Sequence, residues 1–149
     1  MNINRLKYHL EEAKVHIERL QDVLNRINTI LPLTIEKFED LTPIEKDMLD
    51  ALAFRFSKLQ DLIGSRIFRE YLSYIGFVIE GMSFLEILKE IEKEGIIDVD
   101  TWSEFRKVRN YISHEYPEEL EEKVEAINYL IENSQILIGV VEKIESKIK

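Results

Sequence analysis

Three side chains that can act on a phosphate lie within eight residues of one another, about three quarters of the way along the chain. They are Arg109, His114 and Tyr116, and Asn110 follows the arginine directly. Histidine can gain or lose a proton near neutral pH, and a fixed guanidinium stabilises charge that develops on a phosphate. The spacing is therefore consistent with phosphoryl-transfer chemistry. It is also consistent with a histidine that caps a helix end and an arginine that pairs with a nearby glutamate.

The position of Pro117 predicts where these side chains sit in the fold. Proline disfavours helical geometry at the preceding residue, so the helix that carries Arg109 should end near His114 or Glu115, and Pro117 should begin the next helix. A helix C-terminus favours the charged form of His114. Five residues of α-helix correspond to about 140° of rotation. Arg109 and His114 therefore converge only if the chain turns over residues 113–115, or if a second subunit completes the set.

The pattern Arg109-Asn110-x3-His114-x-Tyr116 resembles the signature of HEPN domains, most closely the HepT-like toxins of MNT–HEPN toxin–antitoxin systems. The resemblance also includes a short helical chain with the motif late in the sequence and one long helix after it, so it covers most of the protein. Many family members have a small residue between the histidine and the tyrosine, where this chain has Glu115.

This resemblance implies a metal-independent endoribonuclease toxin of a type VII-like pair, with Arg109 and His114 as catalytic residues. It implies a homodimer that brings two copies of the motif together. Asn110 is expected to point the other way round the helix, and to orient His114 or bind the backbone of the partner subunit. Tyr116 would be adenylylated by a cognate MNT-type nucleotidyltransferase antitoxin, which would use ATP. No cofactor and no metal is expected in the chain itself.

A second interpretation remains open, in which the chain is a non-catalytic helical module that binds a nucleotidyltransferase or a nucleotide. The formal net charge of −9 favours it, because broad binding to nucleic acid needs a basic surface. Charge is nevertheless distributed unevenly along the chain. Basic residues are concentrated in two stretches: Arg55, Lys58, Arg66 and Arg69 in the first, and Arg106, Lys107 and Arg109 in the second.

Length and composition predict one domain over residues 1–149 in a reducing compartment. The chain has no cysteine, no apolar signal core near its start, and no uncharged run long enough to cross a bilayer. We therefore expect a cytoplasmic protein with no membrane partner, and the resemblance to HEPN domains implies that its substrate is RNA.

Hydrophobic periodicity predicts an all-α, antiparallel up-and-down bundle of about four to five helices. Thr42, Ser83 and Thr101 are each followed three residues later by glutamate, the pattern of a capping box. The predicted helices cover residues 4–31, residues 43–72 with Gly64 as a weak point, a short helix that ends at Gly95, the helix opened by Thr101, and residues 117–148.

Two features of the long helices add further expectations. His9, Glu12 and His16 share one face of the first helix, where a solvated surface is expected rather than a metal site. The first and last helices are longer than a small bundle needs, so an exposed stripe on one of them is a candidate dimer surface.

Overall fold

The computed structural model describes residues 3–112 and 120–148, and these residues form helices and loops without any strand. The predicted all-α helical bundle is confirmed. A tighter 3₁₀ turn at Ile27–Ile30 and a wider π turn at Ile63–Ile67 adjoin the α-helices. The α-helices are α1 (Ile3–Arg26), α2 (Ile35–Glu39), α3 (Pro43–Leu62), α4 (Phe68–Tyr74), α5 (Phe84–Lys93), α6 (Val99–Ile112) and α7 (Leu120–Lys147).

The first helix packs through a stripe of apolar residues that recur every three or four positions, as the hydrophobic periodicity of its sequence predicts. Five positions of that stripe are buried: Leu6, Leu10, Ala13, Leu20 and Ile27. The α-helix ends at Arg26, earlier than expected, because the chain tightens into the 3₁₀ turn before it reaches Pro32. The short helix α2 was not predicted. Its N-cap is Thr34, whose side chain accepts a hydrogen bond from the backbone of Lys37.

Helix α7 runs antiparallel to α1. Lys14 near the middle of α1 pairs with Glu145 near the end of α7, at 3.0 Å. The side chain of Asn128, in the first half of α7, donates to the backbone oxygen of Leu33, beyond the end of α1, at 2.9 Å. Among the helices of the described residues, none is both long enough and apolar enough to cross a membrane.

Helices α3 and α4 form one rod with a π turn in the middle. Thr42 caps its start with the predicted capping box to Glu45. At the π turn, the backbone N–H of Phe68 bonds to the oxygen of Ile63, five residues earlier. Gly64 lies in this turn, at the predicted weak point. A Cβ on Gly64 would come within 3.2 Å of the Trp102 ring, so glycine allows this close approach of α6.

Aromatic side chains hold α6 against the rest of the bundle. Trp102 and Phe105 are buried on α6. The Trp102 ring lies 4.8 Å from that of Phe68, and the Phe105 ring lies 5.6 Å from Phe56 and 6.0 Å from Tyr129. These rings join α6 to α3, α4 and α7. Together they fix the position of the helix that carries Arg109.

The prediction that Thr101 caps α6 is wrong, because the helix already begins at Val99. Asp98 caps it instead. The Asp98 carboxylate accepts hydrogen bonds from the backbone N–H of Thr101 at 3.0 Å and from its hydroxyl at 2.7 Å. These bonds, led by the one from the hydroxyl, lower the pKa of Asp98 below its ordinary value. The Asp98 carboxylate thus accepts a hydrogen bond from a backbone N–H group of the first turn of α6, and the helix dipole also favours a negative charge there.

Replacing the Asp98 cap should destabilise the protein. Asp98→Ala should lower the free energy of unfolding by about 0.5 to 2 kcal/mol, measured by urea denaturation near neutral pH. Because the folded pKa of Asp98 is depressed, its contribution should be complete above the ordinary carboxyl value of 3.8 and decline as pH falls below it. Asp100→Ala, which removes a charge in the same turn, is the matched control. Equal losses for both variants at neutral pH would refute a specific capping role.

Candidate functional site

Arg109 lies in the last turn of α6 and reaches across to α3. Its Nη1 donates a hydrogen bond to Oδ1 of Asp61, which forms an ion pair between the two helices. The Arg109 side chain is 24% exposed, whereas that of Asp61 is 61% exposed. The guanidinium is therefore held against the body of the bundle while the carboxylate remains open to water.

Asn110 contacts Arg109, contrary to the expectation that it points away around the helix. The side-chain oxygen of Asn110 accepts a hydrogen bond from Nη2 of Arg109 at 3.3 Å. Asp61 and Asn110 thus orient the guanidinium from two directions. His114 and Tyr116 lie outside the described residues, as does Pro117. Of the four predicted site residues, the described structure brings together Arg109 and Asn110.

A cavity of about 410 Å³ opens beside Arg109, between the π turn and α6. Arg69 of α4 and Arg106 of α6 line it together with Arg109. Asp61 is the acidic residue of its lining, so the cavity carries a formal net charge of +2 on a protein whose net charge is −9. This local excess of guanidinium groups suits an anionic ligand such as a phosphate.

Arg109 also lines a smaller cavity of about 250 Å³, together with Asp50 and the apolar side chains of Phe54, Ile112 and Leu130. Phe54 is 51% exposed. The cations of Arg55 and Lys58 lie over its ring, at 5.1 and 5.4 Å from the ring centre. Exposed aromatic rings beside cations are the groups that bind single-stranded nucleic acid by stacking and charge. Arg109 therefore lines both a basic cavity and a second cavity that contains an exposed aromatic ring.

The prediction that His9 and His16 lie on a solvated face is wrong. Their side chains are only 13% and 15% exposed. Nδ1 of His9 lies 2.8 Å from Oε1 of Glu70 on α4, and this contact joins α1 to α4. Within residues 3–112 and 120–148, no three His, Cys, Asp or Glu side chains are grouped closely enough to hold a metal ion.

Sequence reasoning did not identify Asp61, Arg69 or Gln60 as parts of the site. The basic stretch that includes Arg69 was visible, but nothing showed that it would face α6. The buried position of Gln60 could have been predicted from the sequence. It falls four residues after Phe56 and three before Ile63, which places a polar residue in a buried helical stripe.

The ion pair between Arg109 and Asp61 should contribute little to stability. Partly exposed pairs of this kind are worth about 0 to 1 kcal/mol, so Asp61→Asn should change the free energy of unfolding by no more than about 1 kcal/mol. Urea denaturation of both proteins measures the difference. Asp47→Asn, at an exposed position of the same helix, controls for the change in net charge. A loss of about 3 kcal/mol or more relative to that control would show that the pair behaves as a buried one.

Comparison of the chain with models of protein families, with curated proteins and with solved structures gave no match. The resemblance to HEPN domains therefore stays a prediction that rests on the residues of the motif. What can be concluded about function depends on the chemistry around Arg109.

Proposed function

We propose that this protein is a cytoplasmic, metal-independent endoribonuclease, the HepT-like toxin of a type VII-like MNT–HEPN pair. The observation that carries the proposal is the position of Arg109. It stands in the last turn of α6, five residues before His114, at the edge of a cavity that two further arginines line. The site thus combines a fixed guanidinium with a local positive charge, and a histidine follows five residues later in the sequence.

In the proposed reaction, a histidine base removes the proton from the 2′-OH of the RNA, and the 2′-oxygen attacks the adjacent phosphorus. The bond from phosphorus to the 5′-oxygen then breaks, and a histidine acid gives a proton to the leaving oxygen. The products are a 2′,3′-cyclic phosphate and a 5′-hydroxyl. Arg109 stabilises the negative charge on the phosphorane, and Asn110 and Asp61 hold its guanidinium in place.

One histidine cannot easily serve as base and acid on opposite sides of the phosphorus. A symmetric dimer that brings two copies of the motif together supplies His114 twice. Tyr116 would provide the control of this activity. Adenylylation of its hydroxyl by a cognate nucleotidyltransferase, with ATP as the donor, adds a bulky anionic group that repels RNA phosphates.

The second candidate function is a non-catalytic module that binds a nucleotidyltransferase or a nucleotide. The ion pair with Asp61 favours it, since a carboxylate already accepts a hydrogen bond from Nη1 of the Arg109 guanidinium. Under this interpretation, His114→Ala and the unaltered protein would be equally harmless when expressed.

The catalytic proposal is tested by cleavage of a labelled RNA with the purified protein. His114→Ala should reduce the rate by about a hundred- to ten-thousand-fold, and Arg109→Ala by about a hundred- to a thousand-fold, because these groups act on the proton and on the developing charge. Arg26→Ala, at an exposed position at the end of α1, is the matched control and should keep full activity. Cleavage should persist in EDTA and leave cyclic or 3′-phosphate ends. Loss of cleavage in EDTA and its recovery with magnesium would refute the mechanism.

The composite site requires a dimer. Analytical ultracentrifugation at micromolar concentration should give a mass of about twice the 17.7 kDa of one chain. His114→Ala should leave this mass unchanged, which separates loss of chemistry from loss of assembly. A strict monomer that still cleaves RNA would rule out a site shared between subunits.

A further inference from the structure

The cavity beside Arg109 contains more than its arginines. Its lining also includes Gln60 and the π turn residues Gly64 and Ser65 on one side, with Trp102 and Phe84 on the other. Its volume of about 410 Å³ lies in the range of about 300 to 1,000 Å³ that is ordinary for small-molecule sites. Trp102 and Phe84 both lie close to Gly64, since a Cβ at that position would be 3.2 Å from the Trp102 ring and 3.7 Å from the Phe84 ring.

Gln60 is the least expected residue of the lining. It is 2% exposed, and neither its amide nitrogen nor its amide oxygen has a hydrogen-bond partner among the described residues. The same holds for the indole nitrogen of Trp102. Burying an unpaired amide costs about 1 to 3 kcal/mol, so such groups are rare unless they serve a ligand or a buried water. Gln60 is part of the cavity lining, so this unpaired amide lies beside the space that a ligand would fill.

The amide of glutamine presents one donor and one acceptor side by side. That pair matches the edge of a nucleobase, and the bidentate pairing of glutamine with adenine is a frequent case. Phe84, which is half-buried, offers a flat apolar surface on the same side as Trp102. The guanidinium of Arg106 lies 5.0 Å from the centre of the Phe84 ring. A planar base fits this combination of an aromatic wall and a buried amide.

Arg69 and Arg106 provide the charge. Neither forms an ion pair with a carboxylate of residues 3–112 or 120–148, whereas Arg109 is engaged with Asp61. Arg69 comes from α4 and Arg106 from α6, so the two guanidinium groups approach the cavity from different helices. Guanidinium groups bind the oxygens of phosphates, as of carboxylates, in a bidentate geometry, so two of them from different helices can hold one phosphate group.

We infer that this cavity binds a nucleoside monophosphate unit, with its phosphate on Arg69 and Arg106 and the edge of its base on Gln60. The unit is either a free nucleotide or one nucleotide of an RNA. The inference rests on the proposed function in taking nucleotides as the ligands of this face. Binding in the cavity itself requires neither His114 nor cleavage.

Trp102 allows a direct test, because it is the single tryptophan of the chain and lines the cavity. Adenosine 5′-monophosphate should change its fluorescence saturably. Adenosine and ribose 5-phosphate, which each lack one half of the ligand, should bind about tenfold more weakly or worse. If inorganic phosphate bound as tightly as the nucleotide, the cavity would be a simple anion site, and the inference would be overturned.

Substitutions separate the two halves of the site. Gln60→Met keeps the volume of the side chain and removes the unpaired amide, so the protein should remain folded and melt at the same or a higher temperature. Its affinity for adenosine 5′-monophosphate should fall about tenfold, with no change for ribose 5-phosphate. Arg106→Gln, at an exposed position, should weaken the binding of both adenosine 5′-monophosphate and ribose 5-phosphate about tenfold. Arg26→Gln should leave the binding of both unchanged.

Two further measurements locate the source of the nucleotide and keep the inference distinct from the ribonuclease proposal. Competition by a short RNA oligonucleotide would identify the ligand as a unit of RNA, and its absence would identify a free nucleotide. His114→Ala should bind adenosine 5′-monophosphate as the unaltered protein does, whether or not RNA is cleaved. The inference would be overturned if adenosine 5′-monophosphate gave no saturable fluorescence change, or if Gln60→Met and Arg106→Gln bound it as tightly as the unaltered protein does. Neither result would bear on whether the protein cleaves RNA.

Discussion

The contact between the aromatic face of α6 and the rod formed by α3 and α4 is the constraint on which the site depends. Trp102 and Phe105 pack among Phe56, Phe68 and Tyr129, and aromatic pairs of this kind each add about 0.5 to 1.5 kcal/mol beyond the area they bury. Large rings have few alternative packings in a close-packed interior, so they fix the rotation of α6 as well as its distance. That rotation directs one edge of α6, with its two arginines, towards α3 and α4. The geometry of the charged groups is thus a consequence of apolar packing.

Electrostatics then determines how a strongly acidic protein can present a positively charged cavity. The overall charge repels nucleic acid at a distance, but this repulsion is screened beyond about 8 Å at physiological ionic strength. Inside the cavity, three guanidinium groups outweigh Asp61. The carboxylate of Asp61 has two opposing effects: it orients Arg109, and it competes with any phosphate for the same donors. Selectivity for ligands that fit the cavity is the expected result, since only close contacts overcome the unfavourable long-range field.

Local signals predicted much of the fold and less of the site. The apolar stripe of α1 and the capping boxes at Thr42 and Ser83 were sufficient, because each depends on residues within a few positions of one another. At α6 two local signals competed: Thr101 has the pattern of a cap, but Asp98 binds the Thr101 backbone itself and starts the helix earlier. The roles of His9 and Gln60 depend on tertiary contacts, with Glu70 in one case and with the cavity in the other. No spacing in the sequence shows which helix will face them. Arg109 and Asn110 were singled out from their motif, whereas Asp61, which pairs with Arg109, lies 48 positions away from it in the chain.

The π turn between α3 and α4 makes the site sensitive to the number of residues in the chain. Each residue of an α-helix advances the rotation by about 100°, so a single wider turn changes the angular phase of everything that follows it. Downstream of Ile63–Ile67, this phase directs Arg69 to the cavity and its neighbour Glu70 to His9 on α1. Loss of one residue from the turn would restore a regular helix and improve its hydrogen bonding. It would also rotate both side chains away from their partners. The irregular turn therefore acts as a spacer, and a more regular helix at this point would separate Arg69 from the cavity and Glu70 from His9.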